Sequence, residues 1–328
     1  MHAQRELIGP LLRDVSRSFY LTLRVLPREI RPQVSLAYLL ARASDTIADT
    51  KAVAKAERIQ RLHQLLANIT LVCGSPDTNV GAPTSPAEAR LLQRLPDCLR
   101  FLGELPDADR QRIGGLLDTI IAGQIFDLER FPGETEKDLV ALKDDELDRY
   151  TYLVAGCVGE FWTRMCRAHF KELEFWRDVE MEELGVRFGK GLQLVNVLRD
   201  IPTDLRIGRC YLPVKEPQLL LDPQNFASVQ SLYDRWLDTA VAHLDAGWQY
   251  TMLIPSSLWR LRLACIWPIW IGLKTIARLR EANPLDPAQR IKVSRIEVYG
   301  LMLESFLLRL NDAALDERYR KLRRTAIP

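Results

Sequence analysis

Residues 28–49 read REIRPQVSLAYLLARASDTIAD, an apolar run that ends on two acidic side chains. Its apolar positions, among them Val34, Ala37, Tyr38 and Ala41, recur at three- and four-residue spacing. That spacing puts them on one face of an α-helix, because a helix completes a turn every ~3.6 residues. The run therefore predicts a long helix with one face turned into a protein core.

Two acidic pairs share the pattern D-x-x-x-D. The first is Asp45 with Asp49, and the second, far along the chain, is Asp200 with Asp204. Helical residues four apart lie on the same face, where two carboxylates repel each other by roughly a few tenths of a kcal/mol. Magnesium prefers carboxylate oxygens and keeps coordination positions for substrate phosphates, so it would relieve this repulsion. Each pair taken alone also fits an ordinary solvated helix face.

The residues around the pairs favour a metal and phosphate site. Both pairs lie inside mainly apolar segments, where buried acids are usually paired or metal-bound. Arg42 precedes Asp45 by three residues, and Arg199 directly precedes Asp200. Guanidinium groups offer forked donors that suit phosphate. Such a site matches the needs of a diphosphate leaving group, whose departure creates an allylic carbocation that a dry helical bundle would protect from water.

Helical patterning continues through nearly the whole chain. We predict one all-α domain over residues 1–328, because no alternating strand of useful length and no long linker interrupts the pattern. Residues 73–86 are rich in Gly, Pro and Ser and predict a surface loop. The later predicted helices cover 143–169, 172–205, 225–253, 256–282 and 286–311.

Composition excludes several classes of protein. The 45 lysines and arginines nearly balance 43 aspartates and glutamates, so the net charge of +2 gives no case for nucleic acid binding. Six scattered cysteines without a C-x-x-C pair predict free thiols in a reducing compartment.

The N-terminus lacks a signal core, and the apolar stretch Leu263–Leu273 is about half a membrane span. We expect a soluble cytoplasmic protein that can still associate peripherally with the inner surface of a membrane. Its oligomeric state is not predicted.

Four blocks of sequence resemble the squalene/phytoene synthases, a family of head-to-head (1'-1) prenyl transferases. They are SRSF at 16–19, YLLARASDTIAD at 38–49, YTYLVAGCVG at 150–159 and QLVNVLRDIPTD at 193–204, and GRCYLP follows at 208–213. The blocks have the order and rough spacing of the family, and their style is nearest to bacterial squalene synthases. The resemblance implies a single isoprenoid synthase domain, a helical bundle with a central apolar cavity.

The resemblance also implies roles for individual residues. The implied ligands of Mg²⁺ are Asp45, Asp49, Asn196, Asp200 and Asp204, of which Asp45 and Asp200 are central to catalysis. The implied neighbours of the prenyl diphosphates are Ser16, Arg17, Ser18, Tyr38, Arg42 and Arg199. The implied lining of the substrate pocket is Phe19, Val154, Gly156 and Gln193.

Two of these positions have alternative interpretations. Tyr150 matches a tyrosine proposed to assist proton removal as a cyclopropyl intermediate forms, and a packed aromatic is the alternative. Gly156, like Gly159, is interpreted as a close-packing position beside the cavity rather than a chemical group. Ala48 and Thr203 stand where some members carry further acids, but the outer carboxylates of both motifs are intact.

The sequence leaves the choice between two products open, because both begin with the same condensation. We favour squalene synthase, which joins two farnesyl diphosphates through presqualene diphosphate and then uses NADPH, in sterol or hopanoid biosynthesis. The alternative is a phytoene or dehydrosqualene synthase, which loses a proton instead of accepting hydride. Residues 291–295 resemble a basic stretch that binds NADPH in squalene synthases, so Lys292 and Arg295, with Asn196, are assigned to the cofactor. A solvated helix face is the alternative for this stretch.

Two rival classes are less favoured. A head-to-tail prenyl elongase would carry D-D-x-x-D motifs, which the chain lacks. A helical lipid-binding or scaffold protein with a decayed active site would not be expected to keep all four motif aspartates.

Two further segments carry predictions of their own. Pro202 lies inside the second acidic helix and predicts a kink or an early end there. The basic tail ERYRKLRR at 317–324 is a candidate contact for anionic lipid. The Trp-rich segment 259–270 is a second candidate, although a core helix is the better interpretation of it.

Overall fold

A computed structural model describes residues 2–16, 19–71, 85–289 and 291–327, and most of them are helical. The α-helices are α1 (His2–Glu6), α2 (Leu12–Ser16), α3 (Phe19–Val25), α4 (Arg31–Asp49), α5 (Lys55–Leu71), α6 (Pro86–Gln93), α7 (Leu95–Gly103), α8 (Asp107–Arg130), α9 (Asp144–Thr151), α10 (Cys157–His169), α11 (Asp178–Arg206), α12 (Phe226–Met252), α13 (Trp259–Glu281), α14 (Arg295–Leu308) and α15 (Asp312–Ala326). Five-residue π-helical turns occupy Leu7–Leu11 and Tyr152–Gly156. Short 3-10 turns occupy Glu136–Asp138, Lys171–Leu173, Pro217–Leu221, Pro223–Asn225 and Ser256–Leu258. The predicted all-α class is confirmed.

Two short strands, β1 (Val140–Ala141) and β2 (Arg209–Cys210), pair in parallel. Gly208 precedes β2 with φ 82°, a left-handed conformation that a residue without a Cβ adopts at little cost. A side chain at this position would also come within 2.9 Å of the Thr135 carbonyl. The bridge joins the segment after α11 to the segment before α9. Strands of two residues are too short to leave an alternating pattern, so the sequence did not predict them.

The chain divides into two compact units. Unit 1 comprises the residues up to Glu129 together with Arg164–Lys171, and unit 2 comprises Arg130–Thr163 and Glu172–Pro328. In unit 1, α4 buries Leu36, Leu39, Leu40 and Ala43. Of the four positions named from the spacing only Ala37 is buried, and Val34, Tyr38 and Ala41 are partly exposed, so the buried face of the helix is not the one predicted. The single domain over 1–328 stays a prediction.

Unit 2 is built on α11, α12 and α13, which pack against one another. Helix α13 contains the Trp-rich segment, and its Trp267 and Trp270 are buried. The interpretation of this segment as a core helix is therefore confirmed for most of its length.

The start of α14 differs from the prediction by nine residues, since periodicity predicted residue 286 and the helix begins at Arg295. Ser294 fixes this start with a capping box. Its hydroxyl accepts a hydrogen bond from the Glu297 N–H at 3.3 Å, and the Glu297 carboxylate accepts one from the Ser294 N–H at 3.0 Å. The S-x-x-E pattern was present in the sequence as a signal for this boundary.

Two other expectations concern the part of the chain that the structure describes. The described residues include five cysteines, and all five are free thiols: Cys98, Cys157, Cys166, Cys210 and Cys265. Among the helices of these residues, none combines the length and the hydropathy needed to traverse a bilayer.

Candidate functional site

The first acidic pair lies in the last turn of α4. This end of the helix is fixed by Arg58 of α5, which is buried and donates to the Ala48 carbonyl at 2.9 Å. The last carbonyls of a helix have no partner inside the helix, and such a donor satisfies one of them. Arg58 thus holds the turn that carries Asp45 and Asp49.

Asp45 is fixed on one side and open on the other. Gln124 of α8 donates from its amide to Asp45 Oδ1 at 2.6 Å and to the Ser44 hydroxyl at 3.0 Å. An Arg42 guanidinium nitrogen lies 3.9 Å from Asp45 Oδ2, and 44% of the Asp45 side chain remains exposed. The carboxylate is therefore oriented by its neighbours and is still accessible to a ligand.

The environment of Asp45 raises the pKa of its carboxyl to about 6. The largest cause is loss of solvation among the packed atoms around it, followed by the negative charge of Asp49. Arg42 and the Gln124 hydrogen bond act in the opposite direction. The expected repulsion between the two carboxylates is thus present, and a divalent cation would relieve it.

Arg42 is held by Glu88, a buried residue of α6. The guanidinium donates to the Glu88 carboxylate, which keeps Arg42 beside Asp45. Sequence reasoning missed Glu88, because its pattern S-x-x-E after Ser85 signals only a helix start. Gln124 was missed as well, since no local pattern links it to a side chain 79 residues away.

The N-terminal site residues are partly described. Phe19 stacks on Tyr38, with ring centroids 5.3 Å apart and an angle of 28° between the rings. Ser16 is buried, and its hydroxyl donates to the Leu12 carbonyl at 2.5 Å. Arg17 and Ser18, both predicted near the diphosphates, lie outside the described residues. The structure therefore brings Phe19 and Tyr38 together, and the diphosphate role of Ser16 stays a prediction.

The second acidic pair lies on α11, which continues through Pro202 to Arg206. The predicted early end of the helix at Pro202 is wrong. Proline has no N–H, so the carbonyl four residues earlier, that of Leu198, loses its helical donor. The buried Tyr233 hydroxyl of α12 donates to that carbonyl at 3.2 Å. Asp204 therefore stays on the same helix as Asp200.

Asp200 is already paired with a cation. Arg199 donates to its two carboxylate oxygens at 2.8 and 2.5 Å, and these bonds raise the pKa of the guanidinium. The Asp200 side chain is 47% exposed. One turn earlier, the exposed Asn196 amide donates to the Gln193 amide oxygen at 3.4 Å. This face of α11 thus presents the predicted polar residues to solvent.

A cleft of about 290 Å³ lies beside Asp200. It is lined by Arg199, Asp200, Pro202, Thr203 and Arg206 of α11 and by Pro287, Gln289, Ile291 and Lys292 of the segment before α14. The structure therefore brings Lys292 to the same cleft as Arg199 and Asp200. Arg295 begins α14 and is exposed, and it does not line this cleft.

Tyr150 is a packed aromatic in this structure. It is buried, its ring stacks on Tyr211 with centroids 4.7 Å apart, and Tyr211 meets the edge of Phe131 at 5.2 Å. A role of its hydroxyl in proton removal stays a prediction. Val154 follows on the π-helical turn and is partly buried.

Glycines let the segment after Tyr150 approach α11 closely. A Cβ at Gly159 would come within 1.9 Å of the Gly185 carbonyl oxygen, and a Cβ at Gly156 would lie 3.1–3.3 Å from side chains that include Lys190. The interpretation of Gly156 and Gly159 as close-packing positions is confirmed. Their place beside a substrate cavity stays a prediction.

The carboxylates of each acidic pair are of the donor type that suits magnesium bound together with a phosphate. Within residues 2–16, 19–71, 85–289 and 291–327, no three His, Cys, Asp or Glu side chains group to hold a metal by themselves. Magnesium usually binds proteins through one or two carboxylates together with substrate phosphates and water. Each acidic pair supplies such hard oxygen donors, and beside the larger effect of lost solvation the charge of Asp49 contributes to the raised pKa of Asp45.

Comparisons with known proteins agree with this fold and these motifs. The model of the squalene/phytoene synthase family matches residues 12–297. The bifunctional lycopene cyclase/phytoene synthase of Blakeslea trispora is 31% identical over 212 residues, 62% of this chain and 31% of that protein. The phytoene synthase of Arthrospira platensis is 25% identical over 275 residues, 82% of this chain and 80% of that protein.

A solved complex of TcSQS with the ligand BPH1237 has the same fold, with a TM-score of 0.73 and 22% identity over 100% of this chain and 98% of that one. The chain spans less than half the length of the bifunctional relatives. The family match extends from α2 across both acidic helices to the start of α14. This protein therefore belongs to the squalene/phytoene synthase family.

Proposed function

We propose that this protein joins two prenyl diphosphates head to head in a magnesium-dependent reaction. The family consists of head-to-head prenyl transferases, so the protein is an enzyme of that class. The observation that carries the proposal is the surroundings of the Asp45 and Asp200 carboxylates. Each carboxylate lies beside an arginine, and 44% and 47% of their side chains stay exposed.

The metal ligands in this proposal are Asp45, Asp49, Asn196, Asp200 and Asp204. When bound, Mg²⁺ neutralises charge on the departing diphosphate. Gln124 holds the Asp45 carboxylate in one orientation, so that little freedom is lost on binding.

The two arginines supply donors to the phosphate oxygens. Glu88 fixes Arg42 through one nitrogen, and the guanidinium keeps other donors for a ligand. Arg199 donates twice to Asp200 in the structure. Binding would exchange these bonds, because Arg199 can donate to phosphate while Asp200 turns its oxygens to the cation.

For the product, we propose an ending by proton loss, as in phytoene synthases. Support comes from the relatives, since those of Blakeslea trispora and Arthrospira platensis are named for phytoene synthase activity. The names of these relatives favour proton loss over the NADPH-dependent ending of a squalene synthase, which the sequence motifs favoured. In this proposal the Tyr150 hydroxyl assists the earlier proton removal that forms the cyclopropyl intermediate, from a position where the stacked Tyr211 ring limits its motion.

Squalene synthase is the second candidate, and the cleft beside Asp200 favours it. Arg199, Arg206 and Lys292 place three cationic side chains around this cleft. Such a lining suits the phosphates of NADPH, the hydride donor of that ending.

A product assay tests both candidates. The purified protein is incubated with Mg²⁺ and either farnesyl or geranylgeranyl diphosphate, each with and without NADPH, and products are identified by mass. We expect condensation that is independent of NADPH. Squalene formed only with NADPH would establish the second candidate instead.

Variants of the motif acids make this assay specific. Asp45→Asn and Asp200→Asn should abolish condensation, whereas Asp118→Asn, the same change at an exposed position of α8, should not. Absence of condensation in the unmodified protein with every substrate would contradict the proposal.

A further inference from the structure

Helix α14 and the turn after it expose a row of large apolar side chains. The row consists of Ile296, Tyr299, Leu303, Phe306, Leu307 and Leu310, which are 41–84% exposed. Single exposed apolar residues are ordinary on protein surfaces, but a contiguous group marks a binding surface. We call this row the α14 face.

The α14 face is a true stripe along the helix. At about 100° per residue, its helical members fall within an arc of roughly 100°, and from Ile296 to Leu310 the stripe is about 21 Å long. The opposite side is buried through Leu301 and Ser305. Ser305 accepts a hydrogen bond from the Trp267 indole of α13 at 2.8 Å, so this side is the one packed on the protein. The helix therefore has a second apolar side that stays largely exposed, with side chains 41–84% accessible.

The acids of α14 are neutralised by neighbouring helices. Glu297 pairs with Lys274 at 2.8 Å and with Arg278 at 2.7 Å, both on α13. Glu304 pairs with Arg318 of α15 at 2.8 Å. The negative charges beside the stripe are thus compensated within the protein.

Cations and an indole lie at one end of the stripe. The Arg309 guanidinium carbon lies 4.1 Å from the centre of the Phe306 ring. The Trp259 ring meets Phe306 edge-on at 5.9 Å, and Arg260 lies 4.8 Å from the Trp259 ring centre. Arginine and tryptophan beside exposed leucine and phenylalanine are typical of helices that lie in a membrane interface.

We propose that the α14 face docks the protein onto an anionic phospholipid surface. The apolar side chains would enter the boundary between headgroups and acyl chains, and Arg260 and Arg309 would lie among the phosphates. A protein partner would be expected to meet a face with more mixed polarity and fewer leucines. The inference goes beyond the condensation proposed above and does not depend on it.

The basic tail predicted as the lipid contact is largely engaged elsewhere. Arg320 pairs with Asp316 at 2.5 Å, and Arg323 pairs with Asp245 at 2.8 Å. These pairs engage part of the tail's charge within the protein, and a lipid contact by the tail stays a prediction.

Co-sedimentation of the full chain with vesicles tests the proposal. The vesicles contain phosphatidylcholine alone or with phosphatidylglycerol. The test variant is Leu303→Glu/Leu307→Glu. The control is Phe175→Glu/Val179→Glu, which adds the same charge at two exposed apolar residues away from α14. We expect the unmodified protein and the control to bind anionic vesicles at least tenfold more tightly than the test variant does. Binding should weaken as salt increases.

Three results would overturn the proposal. The first is that the unmodified protein does not bind anionic vesicles, and the second is that both double variants lose binding equally. The third is that light scattering without lipid shows the unmodified protein and the control as dimers and the test variant as a monomer. Circular dichroism establishes that each variant is folded. Condensation measured in detergent is a separate readout, so failure of lipid binding is distinguished from failure of the proposed enzyme activity.

Discussion

The Tyr233 hydroxyl donates to the Leu198 carbonyl at 3.2 Å and so replaces the helical donor that Pro202 cannot supply. Leu198 directly precedes Arg199 and Asp200, so the bond lies at the turn that carries the second acidic motif. Tyr233 itself is buried in unit 2. The proline is therefore accommodated by a side chain of another helix, and α11 keeps Asp204 one turn beyond Asp200.

We expect Tyr233→Phe to destabilise the protein by about 1–3 kcal/mol, the usual cost of leaving a buried carbonyl without a donor. Pro202→Ala restores an N–H to the helix, so the same tyrosine change should cost much less in that background. Urea unfolding of the two single variants and the double variant measures this coupling.

Tyr250→Phe is the matched control for this coupling. It removes a buried hydroxyl that is hydrogen-bonded to Thr163 at 3.0 Å. The resulting loss in free energy of unfolding should be the same with proline or alanine at position 202. An identical cost of Tyr233→Phe in both backgrounds would refute the proposed replacement.

The raised pKa of Asp45 predicts a pH-dependent difference in stability. The folded pKa of about 6 exceeds the ordinary value of 3.8, so the native state binds more protons between these values. The contribution of the Asp45 carboxyl to the free energy of unfolding therefore falls as pH rises from about 4 to about 6 and is constant above that. In metal-free protein, Asp45→Asn should gain stability relative to the unmodified chain over this range.

Urea unfolding in chelator at several pH values measures this difference. Asp118→Asn serves as the reference, since its relative stability should not follow the same course. If the advantage of Asp45→Asn were the same at every pH, the carboxyl would not have the raised pKa.

Glu88 predicts an effect on substrate binding without contact with the substrate. Glu88→Gln weakens the pairing that holds Arg42, so we expect KM for the prenyl diphosphate to rise about tenfold with a smaller change in kcat. Glu57→Gln is the control, because it weakens another ion pair of unit 1, with Arg61 at 2.6 Å. Steady-state kinetics of both variants test this, and an unchanged KM in Glu88→Gln would show that Arg42 needs no such support.

Periodicity and motif spacing predicted much of the local structure. Helices α4, α12 and α13 begin and end within a few residues of the predicted positions, because helical periodicity in the sequence reports where a buried helix runs. Asp45, Asp200 and Lys292 were named as site residues from local motifs and neighbouring charges, and their roles stay predictions.

What the sequence did not predict depends on contacts between distant residues. Gln124 and Glu88 contact site residues 79 and 46 positions away, and Tyr233 donates to the Leu198 carbonyl 35 positions away. Of the two effects predicted for Pro202, the early end of the helix is wrong, because the helix-breaking rule assumes that no outside donor is present, and the kink stays a prediction. The α14 face was missed because an exposed apolar stripe has the same periodicity as a buried one.

We propose that both acidic pairs take part in magnesium-dependent binding of diphosphate. Calorimetry with inorganic pyrophosphate in the presence and absence of Mg²⁺ tests it most directly, using the unmodified chain, Asp45→Asn, Asp200→Asn and the control Asp118→Asn. We predict magnesium-dependent binding that each motif variant weakens at least tenfold and that the control leaves unchanged. Unmodified affinity in either motif variant, or equal binding without Mg²⁺, would contradict the claim.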